Sequence, residues 1–532
     1  MILGRRDFLA GAGALAATSR TLRGATQTAG RPVGIFPATI RADFPSVTRE
    51  AYLNSAALHP LGTFAARAIE QGVAYRLYGP GEDRADFGNE KQQQLKASYA
   101  SLINATANEV AFISNTSDGE NIVVMGLDLA KKRGNVVIDE LHFTTSLYMY
   151  KELEKQGVEL RIVKHKNWAI NPEDMARAID RNTRLVSMAL VSNVNGFMHD
   201  CKSVSDIAHA RGALVFADII QAAGAVPVDV KALGIDFASA GTYKWLMGER
   251  GFGFLYVKED LQGTVLPTTR YGHRQVTNFN RTQLTWEPLP GAAKYETGGI
   301  AVLLAACVSE GIAYVKALGV DKIRAHARIL TDRLQKELPP LGYAPLTPQG
   351  TETPIVAFGL KDAAATGKAL QAGKVAATII GNESRLRLAV SVFNTHDDID
   401  RVVSVLGGHT SSMAVNLRQI LLVAALLGVL ATQTLPARQT APLAATDLSA
   451  LRLRNIGPAT MSGRMVDMDV VESSPFVMYV ASFTGGVFRT RDNGVTWELV
   501  FEREPVHSVG DIAIFQPDPD IIWVGTGERA NR

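Results

Sequence analysis

The stretch Ser239-Ala-Gly-Thr-Tyr-Lys244-Trp-Leu-Met-Gly-Glu-Arg-Gly-Phe-Gly-Phe-Leu-Tyr256 decides the fold. One lysine stands between a polar Gly/Thr/Tyr turn and a Gly-rich turn that runs into an apolar strand. Upstream, Phe216-Ala-Asp218-Ile-Ile-Gln221 puts an aspartate at the end of another apolar strand. Further out, apolar runs at 110–113, 135–138, 184–191 and 213–217 alternate with helical patterns such as 172–180 and 204–211. Strand–helix alternation predicts an α/β fold with a mostly parallel, doubly wound sheet. In such sheets ligands sit beyond the carboxyl ends of the strands, where Lys244 and Asp218 both fall.

Other polar motifs follow strands in the same way. Asn115-Thr116-Ser117-Asp118-Gly119-Glu120-Asn121 opens an apolar helix, and backbone amides plus hydroxyls at a helix start make an anion site. Asp139-Glu-Leu-His142-Phe143 and Ser192-Asn193 follow two further strands. Arg385-Leu-Arg387 precedes Asn394-Thr395, and an arginine fork binds a carboxylate through two parallel hydrogen bonds. Pyridoxal phosphate (PLP) chemistry needs a lysine to hold the aldehyde as a Schiff base. It also needs a carboxylate to keep the pyridine nitrogen protonated.

This set resembles the class V aminotransferase family of fold-type I PLP-dependent enzymes, which includes cysteine desulfurases, isopenicillin N epimerase-like proteins and kynureninases. Gly-Thr-Tyr-Lys-Trp-Leu looks more like the isopenicillin N epimerase-like branch. The resemblance implies PLP as cofactor, with Lys244 as the Schiff-base lysine and proton carrier and Asp218 on the pyridine nitrogen. It implies Gln221 and Asn193 near the phenolic oxygen, Asn193 also near the substrate, and Thr116, Ser117 and Tyr243 at the phosphate. It implies a ring stacked on the cofactor, His142 by preference and Phe143 as alternative. Arg387, or second Arg385, would hold the substrate carboxylate; an edge-strand position is the bland alternative for one of them. Thr297, in Tyr295-Glu-Thr297-Gly298-Gly299, would reach the phosphate of a neighbouring subunit, hence a homodimer. The implied substrate is a small amino acid or related amine, with transamination, epimerisation and elimination all open. The rival is a cysteine desulfurase or selenocysteine lyase. Desulfurases carry a nucleophilic cysteine in the loop before the arginine strand, and the matching loop 376–384 contains none.

The 532 residues, 46% hydrophobic and 20% charged, describe a soluble globular protein with room for two or three domains. A net charge of +3 with no basic block implies no nucleic-acid partner. Two distant cysteines, Cys201 and Cys307, argue against a disulfide framework or a structural metal site. Residues 1–30 read as a twin-arginine (Tat) export signal and linker: Arg5-Arg6-Asp7-Phe8-Leu9 precedes a short Ala/Gly run. The expected location is therefore periplasmic or secreted. Residues 31–412 read as one enzyme unit, with a large domain at about 70–300 and a small domain at about 301–412 joined by the N-terminal segment. Residues 413–445 hold a signal-like apolar run, too short for a comfortable membrane span, and a linker. The simplest account is that Met413 once began a separate reading frame. Residues 446–532 resemble the first blade of a sortilin-type or BNR β-propeller. Thr490-Arg-Asp492-Asn-Gly494-Val-Thr496-Trp497 fits the Asp-box turn, with Trp497 expected to pack inward. A non-catalytic binding protein built on that tail is the reading from a different class.

Overall fold

The computed structural model describes residues 35–408 and 465–526, apart from 82–83, 85, 132–133, 483–484, 502–503 and 505–507. The twin-arginine segment and the 413–445 run lie outside the described residues. The chain divides into two units, Met1–Gly428 and Val429–Arg532.

In the first unit, β1 (Ala51–Tyr52) is followed by helices α1 (Thr63–Tyr78) and α2 (Asn89–Leu102). Then come β2 (Val110–Ile113), α3 (Thr116–Gly126), β3 (Asn135–Asp139), α4 (Thr144–Glu154), β4 (Glu159–Val163), α5 (Pro172–Ala178) and β5 (Thr183–Ala189). Next are α6 (Cys201–His209), β6 (Leu214–Asp218), β7 (Phe237–Gly241) and β8 (Gly253–Val257). Seven strands form one sheet in the order β2-β8-β7-β6-β5-β3-β4. Six run in one direction, and β8 runs antiparallel to both its neighbours, β2 and β7. The sheet is therefore mixed. The strands legible in the sequence are those buried on both faces, and β2, β3, β6, β7 and β8 are apolar almost throughout. Clusters around Val186, Val215 and Ala238 on one face and Leu185, Phe216 and Phe237 on the other form the two halves of the core. Each large side chain buried there contributes roughly 1.5–3 kcal/mol.

Register sets the site. Ala189 pairs with Asp218, and Asp218 with Ser239, so β5, β6 and β7 end side by side. The turn from Thr242 to Phe252 is closed by Thr242 N–H donating to Phe252 O at 3.0 Å. Gly251 takes φ +87° there, a backbone shape that a side chain would strain.

A hairpin of β9 (Val276–Asn280) and β10 (Thr285–Pro288) leads to α7 (Val302–Leu318) and α8 (Val320–Glu337). The helical stretch here is broken in two and bent by 76°. Gly319, at φ +82°, makes the break. No single helix among the described residues is long and apolar enough to cross a membrane. Beyond lie β11 (Ile355–Gly359), α9 (Ala363–Ala372), β12 (Val375–Ala376), β13 (Thr378–Ile380) and β14 (Arg385–Ala389). Residues 376–384, expected as loop, thus carry short strands. β14 is central in the order β11-β14-β13, which excludes an edge-strand role for Arg385 or Arg387. β1 pairs with β12, which fastens the N-terminal segment to these strands.

The second unit is two antiparallel sheets. One is a four-stranded meander of β15 (Met465–Val470), β16 (Met478–Ser482), β17 (Gly486–Thr490) and β18 (Glu498–Leu499). The other is a hairpin of β19 (Val509–Ile514) and β20 (Ile522–Thr526). A propeller is not formed by these strands. The turn before β18 has Asp492 Oδ1 accepting from Thr496 N–H at 2.8 Å, and Gly494 N–H donating to Thr490 Oγ1 at 2.8 Å. Trp497 does not pack inward: it is exposed, and its indole N–H donates to Gly494 O at 3.1 Å.

Candidate active site

Lys244 lies just past β7 with only 6% of its surface exposed, and its Nζ makes no ion pair among the described residues. Burial pulls its pKa down to about 8; Asp218 opposes this and Arg387 reinforces it. A share of neutral amine near neutral pH is what a nucleophilic or proton-carrying lysine needs.

Asp218 ends β6. Its Oδ1 accepts the Ile220 N–H at 2.9 Å. Burial raises its pKa, while His142, the Ile220 amide and Lys244 pull it back down. Gln221 is fully engaged: Nε2 donates to Ala56 O at 3.0 Å, and Oε1 accepts the Trp245 indole N–H at 2.9 Å. Asn193 follows β5, and its Oδ1 is buried with no hydrogen-bond partner.

Arg387 reaches the same place from β14. Its guanidinium donates to Asn193 O at 2.8 Å and Thr378 Oγ1 at 3.1 Å, while Nε is buried without a partner. Burial, and then Arg385, hold its pKa down to about 10. Arg385 pairs with Glu383 at 2.7 Å. Thr378 Oγ1 donates in turn to Asn54 Oδ1 at 2.6 Å.

At the start of α3, Thr116 Oγ1 accepts the Gly241 N–H at 2.9 Å, which leaves its own proton to donate elsewhere. Ser117 is half-buried beside it. Tyr243 is half-buried, with Lys244 Nζ 5.5 Å and the Arg250 guanidinium 5.6 Å from its ring centre. His142 is wholly buried with both ring nitrogens hydrogen-bonded, whereas Phe143 is half-buried at the N-terminal cap of α4. Thr297 lines a separate cavity of about 220 Å³ with Ser114, Asp118 and Arg270. It makes no hydrogen bond to Lys244, Asp218 or Arg387.

Lys244, Asp218, Asn193 and Arg387 therefore converge, and Thr116 ties the α3 terminus to the end of β7. The donor set fits PLP. A buried amine without an ion-pair partner among the described residues interacts electrostatically with a buried carboxylate, a helix start offers amides and hydroxyls to a phosphate, and the buried Asn193 Oδ1 is free to take a partner. A family model described as Aminotransferase class-V matches residues 82–402, more than half of the chain. The chain belongs to the class V aminotransferase family. It is similar to a cysteine desulfurase of Salmonella agona, 30% identical over 396 residues that cover 69% of this chain and 96% of the relative. A probable cysteine desulfurase of Methanothermobacter thermautotrophicus is 30% identical over 301 residues, covering 56% of this chain and 74% of the relative. The fold matches an apo cysteine desulfurase of Thermococcus onnurineus, with a TM-score of 0.63 at 20% identity over 73% of this chain and all of that one. The cystine C–S lyase C-DES, solved with its product cysteine persulfide, matches with a TM-score of 0.61 at 20% identity, over 68% of this chain and 99% of its own. This class V member is a PLP-dependent enzyme.

Three contributors escaped the sequence reading. Thr378 supports Arg387, and Glu120 and Ser187 lie behind His142. Glu120 left a trace, a carboxylate on the otherwise apolar face of α3. Ser187 and Thr378 left none.

Proposed function

We propose that this enzyme acts on a small amino acid with a free α-carboxylate, through Lys244 and without a protein thiol. The observation that carries the reading is the meeting of one unpaired buried lysine, Asp218 and an unpaired buried Arg387 in one place. Bound there, PLP supplies an electron sink that weakens the bonds at the α-carbon. Lys244 would hold the cofactor through its amine and would move the proton at that carbon. Asp218 would support a protonated ring nitrogen, Arg387 would grip the substrate carboxylate, and Thr116 and Ser117 would hold the phosphate. His142, which interacts with Asp218 and whose hydrogen bonds lie in the ring plane, is the ring to lie over the cofactor, with its half-buried chain neighbour Phe143 as the alternative.

Two observations disfavour the persulfide route of a desulfurase. Residues 376–384 hold no cysteine. Cys201 and Cys307 are both buried, with thiols pushed up to about 11 and about 12, far from the reactive range. They leave room for a second reading, C–S bond elimination of the kind named for C-DES, which needs no thiol from the enzyme. We also propose export by the 1–30 segment and assembly as a homodimer. Cell fractionation checks the first and sedimentation the second.

The test is the visible spectrum of the purified full chain, then borohydride reduction and peptide mapping. A pyridoxyl adduct on Lys244 supports the reading. Substrates are then screened for keto acid, racemised amino acid or persulfide. A chain that stays colourless with added PLP overturns it.

A further inference from the structure

Glu120 is the most unexpected side chain in the molecule. It sits on α3 among the buried Ile122, Val123 and Val124, with 3% of its surface exposed. An apolar residue would avoid the cost of removing a carboxylate from water. Instead the surrounding elements supply it with donors. Ser146, on α4, donates to Glu120 Oε2 at 2.6 Å. Ser187, on β5, donates to Oε1 at 2.9 Å.

The chain of bonds continues toward the cofactor residues. Ser187 Oγ spends its proton on Glu120, so it accepts from His142 Nε2 at 3.0 Å. The other ring nitrogen, Nδ1, accepts the Phe143 backbone N–H at 2.7 Å. An amide can only donate, so Nδ1 carries no proton and Nε2 does. Every bond runs one way: His142 to Ser187 to Glu120. On its other side His142 interacts electrostatically with Asp218.

We propose that Glu120 is a positioning residue which, through Ser187, locks His142 as a neutral ring protonated on Nε2 and so fixes the wall behind Asp218. The inference rests on the reading of Asp218 as the cofactor's charge partner. Burial acts in the required direction. It lowers the pKa of His142, against the pull of Asp139 and Asp218 and with that of His199. Burial also raises the pKa of Glu120, against its hydrogen-bond donors, and a neutral acid still accepts from Ser187 through its carbonyl oxygen. The titratable groups facing this cluster are Asp139, His199, Tyr150, Asp218 and, beyond Asp218, Lys244. Asp139 is itself bonded to His199 at 3.1 Å. Among the described residues the hydrogen-bonded route from Glu120 toward Asp218 runs through Ser187 and His142, beside a direct repulsion between the two carboxylates.

The experiment is nitrogen-15 imidazole spectroscopy of the full chain without cofactor. The wild type should show His142 as a neutral ring with its proton on Nε2, exchanging slowly with water. Ser187→Ala breaks the relay at one atom with little change of volume. It should give mixed tautomers, with that proton exchanging about tenfold faster, as loss of one hydrogen bond of ordinary strength predicts. Glu120→Gln keeps an acceptor for Ser187 and should restore the wild-type signature. In the loaded chain Ser187→Ala should also move the pH midpoint of the visible band. A wild-type ring that is charged or protonated on Nδ1 at neutral pH overturns the proposal, and needs no variant to fold. So does a Ser187→Ala chain with unchanged tautomer and exchange. Failure of the functional reading would appear separately, as a chain that binds no PLP.

Discussion

Among the described residues two lysines have lost nearly all their water, and only one of them has a carboxylate at bonding distance. Lys96, on α2, lies 2.5 Å from Glu296 and over the ring of Phe112. Glu296 also accepts the Phe112 N–H at 3.0 Å and has Arg274 at 3.7 Å. Lys244 is buried almost as deeply, yet no carboxylate among the described residues pairs with it. Burial by itself does not make a lysine reactive. A partner at bonding distance keeps the ammonium; withholding that partner releases the amine.

The sharpest way to break this contrast is Glu296→Gln. It leaves the Lys96 ammonium buried and unpaired, which should cost about 3–5 kcal/mol in denaturant unfolding. A cost below about 1 kcal/mol would show that Lys96 does not depend on its partner. Lys244→Met should do the reverse in the cofactor-free chain, leaving stability at pH 7 unchanged or higher while abolishing cofactor attachment. The sign follows from linkage. The folded pKa of Lys244 is lowered from 10.5 to about 8. Below pH 8 both states bind the proton, and the folded state bears the full cost of the buried charge. Between pH 8 and about 10.5 the unfolded chain keeps a proton that the folded chain has lost, so stability rises with pH. The wild type should gain about 3 kcal/mol over that window relative to the Met variant. Parallel pH profiles for the two would refute the lowered pKa.

What the sequence revealed follows the same division. Lys244, Asp218 and Asn193 were legible because each stands at a strand end or beside a distinctive turn, where local pattern and chemistry coincide; Arg387, in the middle of β14, was legible from its spacing to Asn394-Thr395. The strands of the central sheet were legible because burial on both faces makes them apolar without alternation. The reversed direction of β8 was not, since a buried strand reads alike either way. The short strands inside 376–384 were hidden because their pairing depends on β1 and β14, far away in the chain. Lys96–Glu296 and the Glu120 relay were hidden for the same reason. The partners are separated by 200 residues and by 67 residues; Glu296 and Glu120 each stand inside a motif, but nothing local points to Lys96 or Ser187 as the partner. In the second unit the turn residues Asp492 and Gly494 made the bonds their types suggest, but Trp497 folded back over its own turn instead of into a core. A turn can be read locally; a core depends on what packs against it.

Arg387 gives the smallest predicted effect and the closest test of what withholding a partner is for. Like Lys244 it is a buried cation with no carboxylate partner among the described residues, although its neighbour Arg385 has Glu383. Its guanidinium meets only a carbonyl and a hydroxyl, so it retains donors and charge for an anion brought by the substrate. The substrate's carboxylate would then do for Arg387 what Glu296 does for Lys96. Arg387→Lys keeps the charge but loses the planar fork, so it should raise KM for an amino acid about ten- to a hundredfold, with a smaller change in kcat. Arg385→Lys, whose charge is already paired, should change KM much less. An amine substrate without a carboxylate should be indifferent to both. Equal losses for acid and amine would mean that Arg387 serves only to hold Asn193 and Thr378 in place. The unpaired cation would then be a feature of packing, and the parallel with Lys244 would fail.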